Sequence, residues 1–435
     1  MRRGQAVPAN RQDKQISEEA MGTVRNLSNR LAQRAAVLAG VFLLLAGNLA
    51  AGAELVVWHA YRGEEKAAFE KAVAMFNQAH GADGISARSL AVPFDAYADK
   101  ITAAVPRGRG PDVFIFAQDR LGGWVEGGQT VEPIDFFIED ETLEMLIPDL
   151  MDPMTFRGTV YGLPFNYKSI TLIYNKALIS DPPKTTTQLV ATAKKFTDAS
   201  VGKFGLAYEY SNYFFHAALM NAFGGHVFDP GPAPTLNIPE NIKAIDLMMQ
   251  WYKEDGILPA DPSAALIGSL FNSGKAAMVF SGPWFLSEVE DDVDFGLAML
   301  PIVDEAGGEP MKPWLTVEGI YISAGSRHKE EAYELLKFMV SDEVALVMST
   351  EGGQLPSNLN VYENPKVAED PVLSAFRMQL ETAVPMPNYA EMTLMWSPVT
   401  TAMNKIVKGS ASAETAMGEA QATLSDSIAA LRKGR

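Results

Sequence analysis

The sequence predicts an α/β protein of two lobes joined by a hinge that the chain crosses several times. Three observations lead there. The chain has 435 residues, more than one ordinary hydrophobic core accommodates. Apolar strand-like runs alternate with amphipathic helical segments from residue 54 onward, the pattern of α/β sheets. These strands occur in both halves, with no repeat period and no low-complexity linker. Several short crossings therefore connect the lobes, which is the arrangement of a hinge and not of beads on a string.

The first lobe opens with ELVVWHA (54–60), a strand, and EEKAAFEKAVAMFNQAHG (64–81), an amphipathic helix. Phe69, Val73, Phe76 and Ala79 stand at helical spacing, and Gly81 is the stop. ISARSLAV (85–92) reads as a strand and DAYADKITAAV (95–105) as a helix capped by Asp95. DVFIF (112–116) is a continuous apolar run suited to a buried parallel strand. In the second block ITLIYNK (170–176) and FGLAY (204–208) are strands around a helix near 186–198. PENIKAIDLMMQWYKEDGI (239–257) is helical, with Ile242, Ile245, Met249 and Tyr252 on one face. AAMVF (276–280), FGLAMLP (295–301) and YISAG (321–325) are strands, residues 328–349 form two helices, and the chain beyond Pro371 is nearly all helix.

Residues 1–53 stand outside this pattern. Arg25, Arg30 and Arg34 precede the apolar stretch AAVLAGVFLLLAGNLAAGA (35–53), which ends in small residues. A basic region, an apolar core and an Ala-Gly-Ala cleavage site make a secretory signal. Its uninterrupted core, Val37–Ala46, is short of the roughly 20 residues of a membrane span. Cleavage is expected near Glu54, with translation starting at Met21 and residues 1–20 as a spurious extension. Residues 1–53 carry seven Lys and Arg against three Asp and Glu, so the formal charge of −17 becomes −21 in the remainder.

Composition and motifs remove several classes of function. Without cysteine there are no disulfides, thiolate metal sites, thiol catalysis or lipidated N-terminal cysteine. No Lys/Arg run provides a nucleic-acid footprint. His59, His80, His216, His226 and His328 make no close metal-ligand spacing, and no cofactor is expected. GSLFNSGKA (268–276) resembles a phosphate loop, but its spacing is one residue too long and a strand follows it. There is no GxSxG elbow. Carboxylates are abundant, which leaves a glycosidase acid/base pair open, yet no carboxylate is singled out.

Aromatic residues do stand out, at strand ends and helix starts. Phe116 ends DVFIF before AQDR, Tyr213 and Phe214 lie in SNYFFH, and Trp284 follows SGP. Trp314 lies in KPWLTVEG and Trp396 in TLMW. In open α/β sheets, ligands bind outside the carboxyl ends of strands. Aromatic faces there, with Arg62, Asp119 and Arg120 nearby, suit a pyranose, whose C–H face stacks and whose hydroxyls need polar partners. Each aromatic taken singly fits a core position equally well.

GPDVFIFAQDRLGG, YGLPFNYKSITLIYNKALI, FNSGKAAMVFSGPWF and PMPNYAEMTLMW, in this order, resemble the periplasmic maltose/maltodextrin-binding proteins of ABC importers. The likeness runs from about Glu54 to the last helix. It implies the type II periplasmic binding protein fold, each lobe a mixed sheet flanked by helices. The implied lobes are 54–166 with 320–367 and 171–314 with 372–435, and the implied hinge segments are 167–170, 315–319 and 368–371. It also implies a periplasmic monomer without enzymatic activity that hands maltose or maltodextrin to an inner-membrane ABC permease. Asp119 and Arg120 would bond sugar hydroxyls, Arg62 takes the place of a cleft lysine, and Tyr213, Trp284 and Trp396 would stack on glucose rings. Phe116 stands where the family has tryptophan, and Lys168 and Ser211 where maltodextrin binders have cleft glutamates. Glu318 is the residue placed to restore one acceptor. These departures keep two alternatives in view: another oligosaccharide or polyol as ligand, and a secreted glycosidase.

Overall fold

A computed structural model describes residues 52–433 apart from Gln129, with only the backbone at Phe94 and Asp95. The predicted leader lies outside the described residues. Eleven strands define the framework: β1 Ala53–His59, β2 Ile85–Ala91, β3 Val113–Ala117, β4 Gly162–Lys168, β5 Thr171–Asn175, β6 Phe204–Ala207, β7 Ala276–Ser281, β8 Phe295–Ala298, β9 Trp314–Ile322, β10 Leu355–Pro356 and β11 Val384–Pro385. They form two separate sheets. The larger runs β10-β4-β9-β3-β1-β2, with β11 paired to β9, and the smaller runs β8-β5-β7-β6. β1 and β3 are parallel, while β9 is antiparallel to both β3 and β4. In the smaller sheet β6 and β7 are parallel, and β5 is antiparallel to β7 and β8.

Both sheets are covered on two faces, which explains their nearly continuous apolar strands. Leu55, Val57, Ile115 and Ile320 pack on one side of the larger sheet with Phe69 and Phe76 of the helix Gly63–His80. Trp58, Phe114, Phe116 and Tyr321 pack on the other. In the smaller sheet, Leu172, Met278 and Phe280 face one core while Ile173 and Val279 face the other, the period-2 alternation of a strand.

The chain passes between the sheets from β4 to β5 across only Ser169 and Ile170, and from β8 back to β9 through residues 299–313. Buried amides tie these passages together. Gln118 accepts from Val317 N (2.8 Å) and donates to the carbonyls of Leu315 (3.4 Å) and Met386 (3.2 Å). Gln379 accepts from Leu300 N (2.8 Å) and donates to Thr382 Oγ1 (2.7 Å).

Several sequence expectations shift. Asp95 is the second residue of its helix, Phe94–Ala104, and Pro93 occupies the cap. Ala79 is exposed, and the buried stripe of Gly63–His80 runs through Ala68, Phe69, Ala72, Val73 and Phe76. Gly81 begins a further 3₁₀ turn, which ends at the left-handed Gly84. The buried face of Pro239–Lys253 is Asn241, Ala244, Ile245, Leu247, Met248 and Trp251; Ile242, Met249 and Tyr252 flank it. The strand expected at 321–325 is only the end of β9. β4 has no counterpart among the predicted strands, and β11 interrupts the helical C-terminal region.

Two histidines are fully buried. His59 accepts from Tyr61 N at its Nδ1 (3.1 Å), and burial, with a smaller effect from Lys66, lowers its pKa to about 4. His216 has no hydrogen-bond partner at either ring nitrogen, and burial lowers its pKa to about 3. An unfolded chain protonates both near pH 6.5. Below that pH the unfolded state holds more protons, so stability present above pH 6.5 is lost as the pH falls toward 4 and then 3. His59 alone accounts for about 3 kcal/mol of this loss. The melting temperature is expected to drop between pH 6.5 and 4.5, and His216→Phe to flatten the slope; a variant with the wild-type slope would show that His216 does not carry it.

Candidate functional site

Apart from Phe116, the aromatic residues picked out in the sequence pack against one another in one cluster. Trp284 lies in the short helix Pro283–Leu286 that follows β7. Its indole folds back over Gly282, where any Cβ would collide with the ring. From there the rings form a continuous row. Trp284 and Phe214 are 6.1 Å apart, Phe214 and Trp314 6.4 Å, and Trp314 and Trp396 5.9 Å. Tyr213 approaches Trp314 from the side, at 6.1 Å. The interplanar angles, 52° to 81°, are those of tilted and edge-on pairs, which the aromatic quadrupole favours.

The row ends on a charge. Trp396 Nε1 donates to Asp119 Oδ2 (3.4 Å), and Arg120 Nε lies 3.4 Å from the same oxygen. Asp119 is 5% exposed. Burial raises its pKa, opposed by Arg120 and the Trp396 hydrogen bond. Asp119 follows β3 in a 3₁₀ turn, Gln118–Arg120, so the end of a buried strand positions it.

On the neighbouring strands lies a second polar group. Lys168 Nζ is 3.1 Å from Glu318 Oε1 and 3.8 Å from Glu65 Oε1. Tyr61 OH donates to Glu318 Oε2 (3.0 Å) and accepts from Asn166 Nδ2 (3.0 Å). Gln354 Nε2 donates to Glu65 Oε1 (2.8 Å). Burial works against the Lys168 charge, but Glu318 and Glu65 outweigh it and raise the pKa, so the ammonium persists at neutral pH. Burial and then Glu318 push the Tyr61 phenol well above its usual value. Arg62 is exposed at the start of the helix Gly63–His80.

The predicted aromatic residues fall into three groups. Trp284 and Trp396 are half-buried with part of their surface in reach of solvent. Trp314 and Tyr213, each 2% exposed, form the floor beneath them, and the Tyr213 hydroxyl lies 3.2 Å from Met220 Sδ. Phe116 points into the core of the larger sheet, between Tyr97 and Trp124. Tyr61, Glu65, Asn166 and Gln354 escaped the sequence reading. Their only local signal is position, since Tyr61 and Glu65 flank Arg62 and Asn166 lies two residues before Lys168.

Two sheets joined by chain passages, with a row of tilted and edge-on aromatic rings beside fixed charges, define a binding protein of the extracellular solute-binding class. Among the described residues no group of three or more His, Asp or Glu is arranged to hold a metal. Residues 71–375 match the bacterial extracellular solute-binding protein family, and the chain belongs to it. The family consists of solute-binding proteins of ABC transporters, not enzymes. A maltotriose-binding protein of Pyrococcus abyssi is 33% identical over 312 residues, which cover 71% of this chain and 68% of that one. A galactooligosaccharide-binding protein of Bacillus subtilis is 26% identical over 398 residues, 88% of this chain and 91% of that one. Among solved structures, a cyclo/maltodextrin-binding protein complexed with maltotetraose superposes with a TM-score of 0.76 at 30% identity, covering 86% of this chain and 97% of that one.

Proposed function

We propose that this protein captures maltose and maltodextrins in an interlobe cleft and delivers them to an inner-membrane ABC permease. The observation that carries this reading is the aromatic row from Trp284 to Trp396, ending on Asp119. The half-buried faces of Trp284 and Trp396 take the apolar faces of pyranoses, while Asp119 and Arg120 take hydroxyls. In this reading residues 54–166 and 320–367 form one lobe, 171–314 and 372–435 the other, and 167–170, 315–319 and 368–371 the hinge. The protein acts as a periplasmic monomer released from a cleaved leader.

A galactooligosaccharide is the second reading, favoured by the Bacillus subtilis relative. Calorimetry of the purified protein with maltotriose and with a galactooligosaccharide decides between them. Stoichiometric binding of maltotriose without turnover is expected; binding of the galactooligosaccharide alone would replace the first reading with the second. Ligand favours the form that contacts it from both lobes, so saturating maltotriose is expected to reduce the radius of gyration in small-angle scattering. An unchanged radius would contradict closure.

A further inference from the structure

The other pole of the larger sheet carries a cavity of its own. β1 and β3 are parallel, so the length of β3 separates their first residues from Asp119 at its far end. A cavity of about 310 Å³ opens beside those first residues, between the loop 105–111 and the segment 323–328 that follows β9. It shares no residue with the aromatic row. The helix Lys329–Met339 starts at its rim, and no side chain caps that start. The first N–H groups of such a helix have no internal acceptor and carry partial positive charge. Ser323 is 1% exposed, lines the cavity, and its Oγ has no hydrogen-bond partner. Buried hydroxyls are nearly always satisfied by protein, water or ligand. Arg327 lines the cavity as well, and Arg107 and Arg109 flank Gly108 of the opposite wall. All three arginines are exposed, and among the described residues none of them forms an ion pair, unlike Arg88 and Lys329 nearby. Like charges gathered without partners repel, and an anion between them relieves that repulsion in a chain whose formal charge is otherwise −17. The carboxylates at this pole are engaged elsewhere or turned to solvent. Asp112 accepts from Val56 N (3.0 Å) and Ser326 Oγ (2.7 Å), Glu54 lies 3.6 Å from Arg88, Glu331 lies 4.0 Å from His328 Nδ1, and Glu330 is exposed.

We propose that this cavity binds a phosphate group, either free or carried by a lipid headgroup. Ser323 Oγ and the first N–H groups of Lys329–Met339 donate to its oxygens from inside, and Arg327 closes over it from the rim. The glycines of both walls let the backbone come close. A Cβ on Gly110 would stand 2.6 Å from Val105 Cγ2, and one on Gly325 3.1 Å from the Val105 carbonyl oxygen. The site is separate from saccharide capture, because no residue of it contacts the aromatic row or Asp119.

Calorimetry of the full chain with inorganic phosphate at low ionic strength tests this, with and without maltotriose. One phosphate per chain is expected under both conditions. Arg327→Gln is expected to weaken it by about 10- to 100-fold, the cost of a charge-assisted hydrogen bond, and Ser323→Ala by about 3- to 10-fold, the cost of a neutral one. The melting temperature of Ser323→Ala holds or rises, because a buried unsatisfied hydroxyl is removed. Lys195→Gln, at an exposed lysine of the helix Thr186–Phe196, controls for net charge and is expected to leave phosphate binding unchanged. Phosphatidylglycerol vesicles distinguish the sources. Retention of the wild type but not of Arg327→Gln assigns the phosphate to a lipid, and calorimetric binding without retention assigns it to the free ion. Binding of neither probe, equal weakening by Lys195→Gln and Arg327→Gln, or full phosphate affinity in Ser323→Ala would overturn the site. Maltotriose affinity is expected to be the same in all three variants, so the outcome stands apart from the saccharide reading.

Discussion

Trp284→Ala is expected to raise the Kd for maltotriose by about 30- to 100-fold. A sugar face covering about 100 Å² of the indole contributes roughly 2–3 kcal/mol at the usual transfer coefficient, and that energy sets the ratio. The ring stands clear of the closest packing. It lies over Gly282, tilted against Phe214 at 6.1 Å and edge-on to Phe215 at 6.3 Å, and is partly solvent-exposed. Truncation therefore lowers the melting temperature modestly, whereas emptying a fully enclosed aromatic site costs about 3–5 kcal/mol. Trp284→Phe keeps a smaller flat face and is expected to retain most of the affinity. Gly282→Ala offers an independent check, because the added methyl collides with the indole and displaces it without altering its chemistry. Calorimetry of the three variants beside sugar-free melts separates the roles. Wild-type affinity in Trp284→Ala, with a large fall in melting temperature, would assign the residue to the core.

Gln118→Leu is expected to cost about 2–5 kcal/mol of folding stability, because it leaves the Val317 N–H and the Met386 carbonyl without this partner at about 1–3 kcal/mol each, while the Leu315 carbonyl keeps its bond from Met386 N. The side chain is wholly buried. Its loss strands the Val317 N–H and withdraws a donor from the carbonyls of Leu315 and Met386, which belong to or follow β9 and β11. Leucine fills the space and removes the amide's own polarity, so the cost falls on those backbone groups. Asp119 is the next residue, and affinity for maltotriose falls with stability in this variant. Urea unfolding with an unchanged slope and a lower midpoint is the expected record. A midpoint within a few tenths of a molar of wild type would show that water or a shifted backbone replaces the amide.

Strands buried on both faces were legible because their composition is continuous: DVFIF and AAMVF have no other stable place than a sheet core. β4 was not legible. Gly162, Pro164 and Asn166 weaken any strand pattern, since proline cannot donate to the ladder. It forms because β9 and β10 flank it on both sides, and the register shift at Glu318/Gly319 falls opposite Pro164. Gly319 carries no Cβ because the ring of Tyr321 and Met154 Sδ occupy that space. The offset on Pro239–Lys253 has a related cause. Hydrophobicity alone marks a wide stripe there, and the neighbours Leu236 and Met417 select which part of it turns inward.

The sequence by itself determined the α/β class, the order of most strands and helices, the family likeness and the aromatic set, because composition and periodicity act locally. Tertiary structure alone decided which of those aromatics are available. Phe116 lies near the end of β3, Trp314 opens β9 and Trp396 sits in the second turn of the helix Met392–Val407, yet one enters a core, one forms a floor and one reaches Asp119. Their fates depend on which elements pack over them, and that information is spread across residues up to 277 positions apart. The Lys168 group shows the same limit most sharply. Glu65, Lys168 and Glu318 come from a helix start and two strands, and only the closure of β9 against β4 brings their charges within reach of one another.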